Sequence, residues 1–462
     1  MPSIKYILEQ YAKQNHIPMH MPGHKRNPQA APYLNHLSEQ LDVTEIEGMD
    51  NLHVPDGPDG MLKQAMERAC KVWNSDQSYF LVNGSTCGIL AGIRALTRRG
   101  DQVLVMRNSH KSVFHAIELC GLQPVFLVPP YLREAGLFGS LSPEQVREKL
   151  EQYDNIRLVI ITSPTYEGVI SHVKEICQIA HSKQIPVLVD EAHGAHLDLH
   201  PFFLGGAVRA GADITVQSLH KTLPSLTQTA ILHVKGKRVD QKRLQHQLSV
   251  FETSSPSYLL LMSMDGCVRE LEQKKLDQWV ECLNAFYAKA SALQHLTIIR
   301  HTKEMFLHDP SKLIISTVGT NITGQMLSKE LQKRNLQLEM DTPSYALAMT
   351  GLGDTHKTMH ALASALLEID QSCFPSPAYQ LPPLPIDSEM AMLPEQAMEQ
   401  DFELVPPQKA IGRISAEYVW AYPPGIPLLI PGERISQDVL LEDYPLYSTR
   451  GCFPTAIAVI VQ

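Results

Sequence analysis

The chain has 462 residues, 44% hydrophobic and 19% charged, the profile of an ordinary soluble globular protein with length for about two to three domains. A formal net charge of −9 and the lack of any strongly basic run exclude the electrostatic footprint of a nucleic-acid or anionic-membrane partner. No segment is apolar for long enough to span a bilayer, and Glu9, Gln10, Lys13 and Gln14 stand where a signal peptide needs an apolar stretch, so a cytoplasmic protein is expected.

The eight cysteines show no CxxC pair or zinc-like spacing and read as reduced core residues. The 20 histidines include no HExxH, and HGAH at 193–196 has neighbours that suit a cofactor pocket better than a metal, so no metal is assigned.

Residues 1–55 open with a short amphipathic stretch and then run through HMPGHKRNP and LDVTEIEGMDNLHVPDG. The Pro and Gly content predicts an extended arm lying on another domain or on a partner subunit. His24, Lys25, Asp42, Glu45 and Asp50 are positioned either to reach a site from that arm or to be solvated loop charges.

Residues 56–255 read as a large α/β domain. Leu62, Ala65, Met66, Ala69, Cys70 and Trp73 follow helical spacing. The run Tyr79-Phe80-Leu81-Val82 then meets Asn83-Gly84-Ser85-Thr86, a turn into a helix whose free N–H groups and hydroxyls form a phosphate cradle. Small residues at a helix start also occur without a ligand.

Strand-like runs at 102–106, 124–128 and 157–162 alternate with helices, one opened by Ser142-Pro143-x-Gln145, a capping box with Pro in the first turn. This rhythm with continuous apolar strands predicts a mainly parallel sheet covered by helices on both faces.

Polar groups collect at the strand ends. His110 follows one strand, either as a helix cap or as a ring that stacks on a flat cofactor, and the hydroxyls of the segment from Thr162 to Gly168, Thr165 among them, follow another. The run 186–189 stops at Asp190 and leads to His193, and the run 214–216 stops before Ser218, His220 and Lys221. Ligands bind beyond the carboxyl ends of parallel strands, so these groups are expected to converge.

An acid and a lysine meeting there suggest pyridoxal 5′-phosphate (PLP), whose aldehyde takes a lysine and whose ring nitrogen takes an anion. On this reading Asp190 holds the ring nitrogen protonated, and Ser218 and His220 meet the phosphate.

Residues 256–371 predict a long helix and a smaller α+β domain containing KLIIST. Residues 372–388 read as a Pro-rich linker and 389–462 as a C-terminal module. In that module PPGIP beside Trp420 and Tyr422 predicts a rigid turn.

Taken together, MPGHK (21–25), DVTEIEGMDNLH (42–53), NGST (83–86), HKS (110–112), TSPTYEG (162–168), DEAHGAH (190–196), SLHK (218–221), TSSPSY (253–258) and YPPGIPLLIPGE (422–433) resemble the Orn/Lys/Arg decarboxylase family in its shorter bacterial form. The resemblance implies PLP fold type I, PLP as cofactor, a homodimer with sites at the subunit interface, and no receiver-like wing domain or decamer. It makes Lys221 the cofactor-linked lysine, Asp190 the ring-nitrogen partner and His110 the stacking residue. Gly84, Ser85, Thr86, Ser218 and His220 become phosphate contacts, Thr165 a cofactor contact, and His193 a proton donor or substrate contact in place of the Trp of large members.

The expected reaction is decarboxylation of a basic amino acid, arginine first, with lysine or ornithine close behind. Carboxylates must meet the distal group, and Glu417, Glu433 and the arm acids are candidates. Two alternatives are another PLP enzyme, an aminotransferase or Cα–S lyase for which Arg413 is a possible carboxylate clamp, and a non-catalytic PLP-bound regulator.

Overall fold

A computed structural model describes residues 13, 16–25, 27, 29–30, 32–34, 52, 60–133, 135–272, 276–377, 389–421, 425–437, 446–450 and 455–461. Its centre is a seven-stranded sheet of β1 (Gln77–Leu81), β2 (Gln102–Met106), β3 (Gln123–Leu127), β4 (Ile156–Thr162), β5 (Val187–Asp190), β6 (Ile214–Ser218) and β7 (Ala230–Val234). The spatial order is β1-β7-β6-β5-β4-β2-β3. Only β7 runs against the others, antiparallel to both β1 and β6.

The apolar runs are continuous because both sheet faces are covered. Val103, Val105, Leu158 and Ile160 pack on one side with Ile89, Ile93, Val113 and Ile117. Leu104, Met106, Val159 and Ile161 pack on the other with Val146, Leu150, Val173 and Ile176. This is the period-two alternation of a strand. The predicted capping box is present: Gln145 N–H donates to Ser142 Oγ at 3.3 Å, and Ser142 N–H donates to Gln145 Oε1 at 3.1 Å.

The smaller unit is an antiparallel sheet of β8 (Thr297–Ile299), β9 (Lys312–Ser316), β10 (Met340–Asp341) and β11 (Tyr345–Met349), ordered β8-β9-β11-β10. Helices Gly324–Lys333 and His356–Asp370 pack with it. Further along, Phe402–Val405 pairs with Ile457–Ile460, and Val419–Ala421 pairs with Ile426–Leu429 and Leu446–Ser448.

The described parts of the arm lie on the body, as an extended segment without its own core must. Ile17–Met19 pairs in parallel with Leu336–Leu338. Gly23 N–H donates to the His220 carbonyl at 2.8 Å, and a Cβ on Gly23 would fall 2.3 Å from the Thr222 carbonyl carbon. The solvated-loop reading fails for Lys25, which is buried and donates to the carbonyls of His20 at 2.6 Å and Met349 at 2.7 Å. Asp42, Glu45 and Asp50 lie outside the described residues.

Candidate active site

A cavity of about 200 Å³ opens where β2, β4, β5 and β6 end. Ser85, His110, Thr165, Asp190, His193 and Lys221 all line it, together with Met21 from the arm and Ile426 from the C-terminal module. Parallel neighbours deliver their carboxyl ends to one edge, so the β5 and β6 termini arrive side by side.

Asp190 is the last residue of β5 and accepts the Ala192 N–H at Oδ1, 3.1 Å away. Burial raises its pKa, opposed by the Lys221 cation and that N–H. Lys221 sits in the short helix Leu219–Thr222 directly after β6. Burial lowers its pKa against the pull of Asp190 and Glu339, and its Nζ lies 2.9 Å from His193 Nε2.

His110 is the helix cap its position allowed, its Nδ1 accepting the Ser112 N–H at 3.3 Å, and its ring also reaches the cavity. The residue is exposed where it lines the cavity, and desolvation by the protein around the ring, then the Lys221 charge, push its pKa down to about 3, so it presents a neutral face.

Helix Gly84–Leu96 starts beside the cavity with Gly84 at φ +77°, a conformation glycine adopts without strain. Asn83 makes no side-chain cap there, which leaves first-turn N–H groups for an anion. Thr86 at this turn is exposed and, unlike Ser85, does not line the cavity.

Ser218 ends β6 and His220 sits in the short helix after it, and neither is among the residues that line the cavity. Ser218 Oγ is buried with no hydrogen-bond partner among the described residues. His220 Nδ1 meets the Thr229 carbonyl at 2.9 Å, which orients its ring, and burial lowers its pKa to about 4. Thr165 lines the cavity but donates its hydroxyl to Glu167 Oε2 at 3.0 Å, so that proton is already committed. The two histidines of HGAH part company: His193 faces the cavity, and His196 is buried against Asp309 at 3.1 Å and Thr222 at 3.1 Å.

Sequence reasoning missed two charged groups here, Lys312 and Glu339, and named Tyr166 only within its segment. Lys312 Nζ lies 3.1 Å from His193 Nδ1. Glu339 accepts the Met21 N–H at 2.9 Å and the Tyr166 hydroxyl. The Tyr166 ring packs 4.5 Å, centroid to centroid, from His193. Both charged residues come from the smaller unit, and neither sits in a motif. The one available signal was a lysine heading the apolar run KLIIST, which normally marks a solvated strand end.

Two sequence candidates are overturned. Glu433 is fully buried and paired with Arg107, and Glu417 is fully buried, accepting the Ala458 N–H at 2.7 Å and the Arg450 N–H at 3.2 Å. Neither lines the cavity, so neither meets a substrate there. Arg413 donates to the Ile460 carbonyl at 2.9 Å and pairs with Glu403 at 2.7 Å, also away from the cavity.

Residues 2–303 match the model of the Orn/Lys/Arg decarboxylase major domain, and residues 382–449 that of the Orn/Lys/Arg decarboxylase C-terminal domain. Arginine decarboxylase of Bacillus anthracis is 33% identical over 94% of this chain and 90% of its own length. Arginine decarboxylase of Bacillus subtilis is 33% identical over 93% and 90%. The structure of the Escherichia coli constitutive lysine decarboxylase superposes with a TM-score of 0.75 at 20% identity, covering 100% of this chain and 82% of that one. The fold is therefore that of the PLP fold-type-I enzymes. An acid and a lysine at adjacent strand ends, held in a chain that matches both domain models in order, lead to one assignment: the protein is a decarboxylase and belongs to the Orn/Lys/Arg decarboxylase family.

Proposed function

We propose that the chain removes the α-carboxylate of arginine as carbon dioxide and yields agmatine, a step of polyamine biosynthesis, with PLP held in the cavity. The observation that carries this reading is the convergence of Asp190, Lys221, His110 and Ser85 on a single recess. Arginine is favoured because the two relatives named arginine decarboxylase are 33% identical, against 20% for the lysine decarboxylase structure. Lysine and ornithine remain the nearest alternative substrates.

The residues present fit the cofactor. Lys221 offers an amine, Asp190 a carboxylate for the ring nitrogen, His110 a flat face, and His193 and Thr165 the adjacent wall. Gly84, Ser85, Thr86, Ser218 and His220 supply a phosphate cradle, for which the uncapped helix start and the unpartnered Ser218 Oγ are the observations. When bound, PLP accepts the electron pair left at Cα.

The remaining work falls to the chain. Asp190 supplies a carboxyl group at one wall, where Lys221 and the Ala192 N–H favour its charged form against burial, and neutral His110 adds no competing charge. Pro164, Ala192 and Ile426 narrow the recess and keep water from the reacting carbon. Lys221 or His193 returns a proton to Cα, so each turnover consumes one proton and releases one carbon dioxide. A homodimer, an arm at 1–55, a large domain at 56–255, a smaller one at 256–371, a linker at 372–388 and a module at 389–462 complete the proposal.

The test is carbon dioxide release by purified protein with PLP, given arginine, lysine and ornithine separately, with amines identified by mass. Agmatine formed in preference to cadaverine and putrescine supports the reading. Keto-acid formation would move the assignment to an aminotransferase. Cofactor binding without turnover of any amino acid would move it to a regulator.

A further inference from the structure

His193 is held between two amines. Its Nε2 lies 2.9 Å from Lys221 Nζ and its Nδ1 lies 3.1 Å from Lys312 Nζ. A neutral imidazole has one N–H donor and one acceptor, and an ammonium has donors only. Two ammonium groups cannot both be satisfied by such a ring, so at least one of the lysines is a neutral amine. The ring itself is neutral, its pKa held far down by burial and then by Lys221 and Lys312.

With one of the two lysines protonated, there are two arrangements. In one, the Lys312 ammonium donates to Nδ1 and Nε2–H donates to neutral Lys221. In the other, the Lys221 ammonium donates to Nε2 and Nδ1–H donates to neutral Lys312. They differ by one proton passed through the ring, with no change in net charge.

Lys312 is built for this contact. It is fully buried at the start of β9, and the one side-chain hydrogen bond it makes among the described residues is the one to His193. Its stem crosses Gly168, where a Cβ would fall 2.6 Å from Lys312 Cγ, so that glycine at φ +94° leaves the path open. Asp309, the nearest acid in sequence, is occupied by Ser311 Oγ at 2.7 Å, the Ser311 N–H at 2.9 Å and His196 at 3.1 Å.

A buried lysine that served only structure would be expected to pair directly with an acid. The charges facing Lys312 are Asp309, Glu339, Lys221 and Lys25, and those facing Lys221 are Asp190 and Glu339, with His110 and His220 alongside. Burial brings the Lys312 ammonium down to about 7 against the pull of Asp309 and Glu339, close enough to neutrality for its proton to move.

We propose that Lys312 is a positioning residue and proton store for the active site: across His193 it takes up the proton that Lys221 must shed to take the cofactor, and it returns that proton to Lys221 through the ring when Cα is to be protonated. This inference rests on the proposed function, in which Lys221 must be neutral to take the cofactor and protonated to return a proton to Cα.

The test compares full-length wild-type protein with Lys312→Met, both freed of cofactor, by the pH dependence of the rate at which each captures PLP covalently. Without Lys312, Lys221 keeps its own proton, and capture at pH 7 slows about tenfold with its midpoint moved up by about one pH unit. Unchanged profiles overturn the proposal. If Lys312→Met does not fold, nitrogen NMR of the His193 ring in the cofactor-free wild type decides. A neutral ring that shares its N–H between Nδ1 and Nε2 supports the proposal, and a ring locked in one tautomer or protonated at both nitrogens overturns it. Neither readout requires decarboxylation, so a failed arginine assay with a shifted capture profile would refute the reaction and leave the chain of amines standing.

Discussion

Arg107 and Glu433, 326 positions apart, form a fully buried ion pair that joins the end of β2 to the C-terminal module, with Nη2 at 3.1 and 3.0 Å from the two carboxylate oxygens. Arg107 also donates to the Pro427 and Leu428 carbonyls at 2.5 and 3.3 Å, and Glu433 accepts the Ile430 N–H at 2.9 Å. The pair thus fixes the strand holding Ile426 against the cavity, one residue before Asn108.

Removing one partner strands a buried charge. Glu433→Ala is expected to cost about 3–5 kcal/mol of unfolding free energy in urea, and Arg107→Met with Glu433→Leu together distinctly less than the sum of the two single changes. Additive losses would show that the pair is not coupled.

Lys221→Ala should lower carbon dioxide release by at least about 10³-fold and end covalent retention of the cofactor through denaturing gel filtration. Asp190→Asn should keep that covalent retention but lower kcat by about 10²-fold or more, since the wall charge is lost while the amine remains. Retained turnover in Lys221→Ala would remove the assignment of that residue.

Gly23→Ala tests the arm. The added methyl meets backbone on both sides of the Thr222–Leu223 peptide, at 2.3 Å from Thr222 C and 2.7 Å from Leu223 N, where no side chain can swing aside. A stability loss of about 1–3 kcal/mol is expected, with a raised KM because Met21 leaves the cavity wall. Unchanged melting temperature and KM would show that the arm is not seated there in solution.

Stability should fall in acid. His233 is 1% exposed, with Nδ1 2.7 Å from Ser78 Oγ and Nε2 3.2 Å from Gln217 Oε1, and burial lowers its pKa to about 3. Between pH 3 and 6.5 the unfolded chain binds the proton that the folded chain refuses, so stability rises with pH across that window and is lost as pH falls. His233 alone contributes about 2 kcal/mol of loss by pH 5 relative to pH 7. His110 and His220 act in the same direction. Urea midpoints from pH 7 to 4 check this, and His233→Gln should flatten the slope.

Much of the site was legible because it is local. The turn at Asn83–Thr86, the cap at Ser142, and the carboxylate and lysine placed where apolar runs stop all follow from short-range sterics and hydrogen bonding within a few residues. The reversed β7 was not legible: AILHV has the same apolar pattern as its parallel neighbours, and direction depends on how the intervening chain returns.

Sequence by itself determined the layered α/β fold and the Asp190–Lys221 pair, since strand and helix periods and their terminating residues encode both. Tertiary structure alone decided the fate of isolated charges. Glu433 looked like a substrate acid and is the partner of Arg107, whereas Lys312 looked like a strand end and meets His193 across 119 positions. A charged side chain takes its role from whatever long-range packing places within about 4 Å of it, and no local pattern records that neighbour.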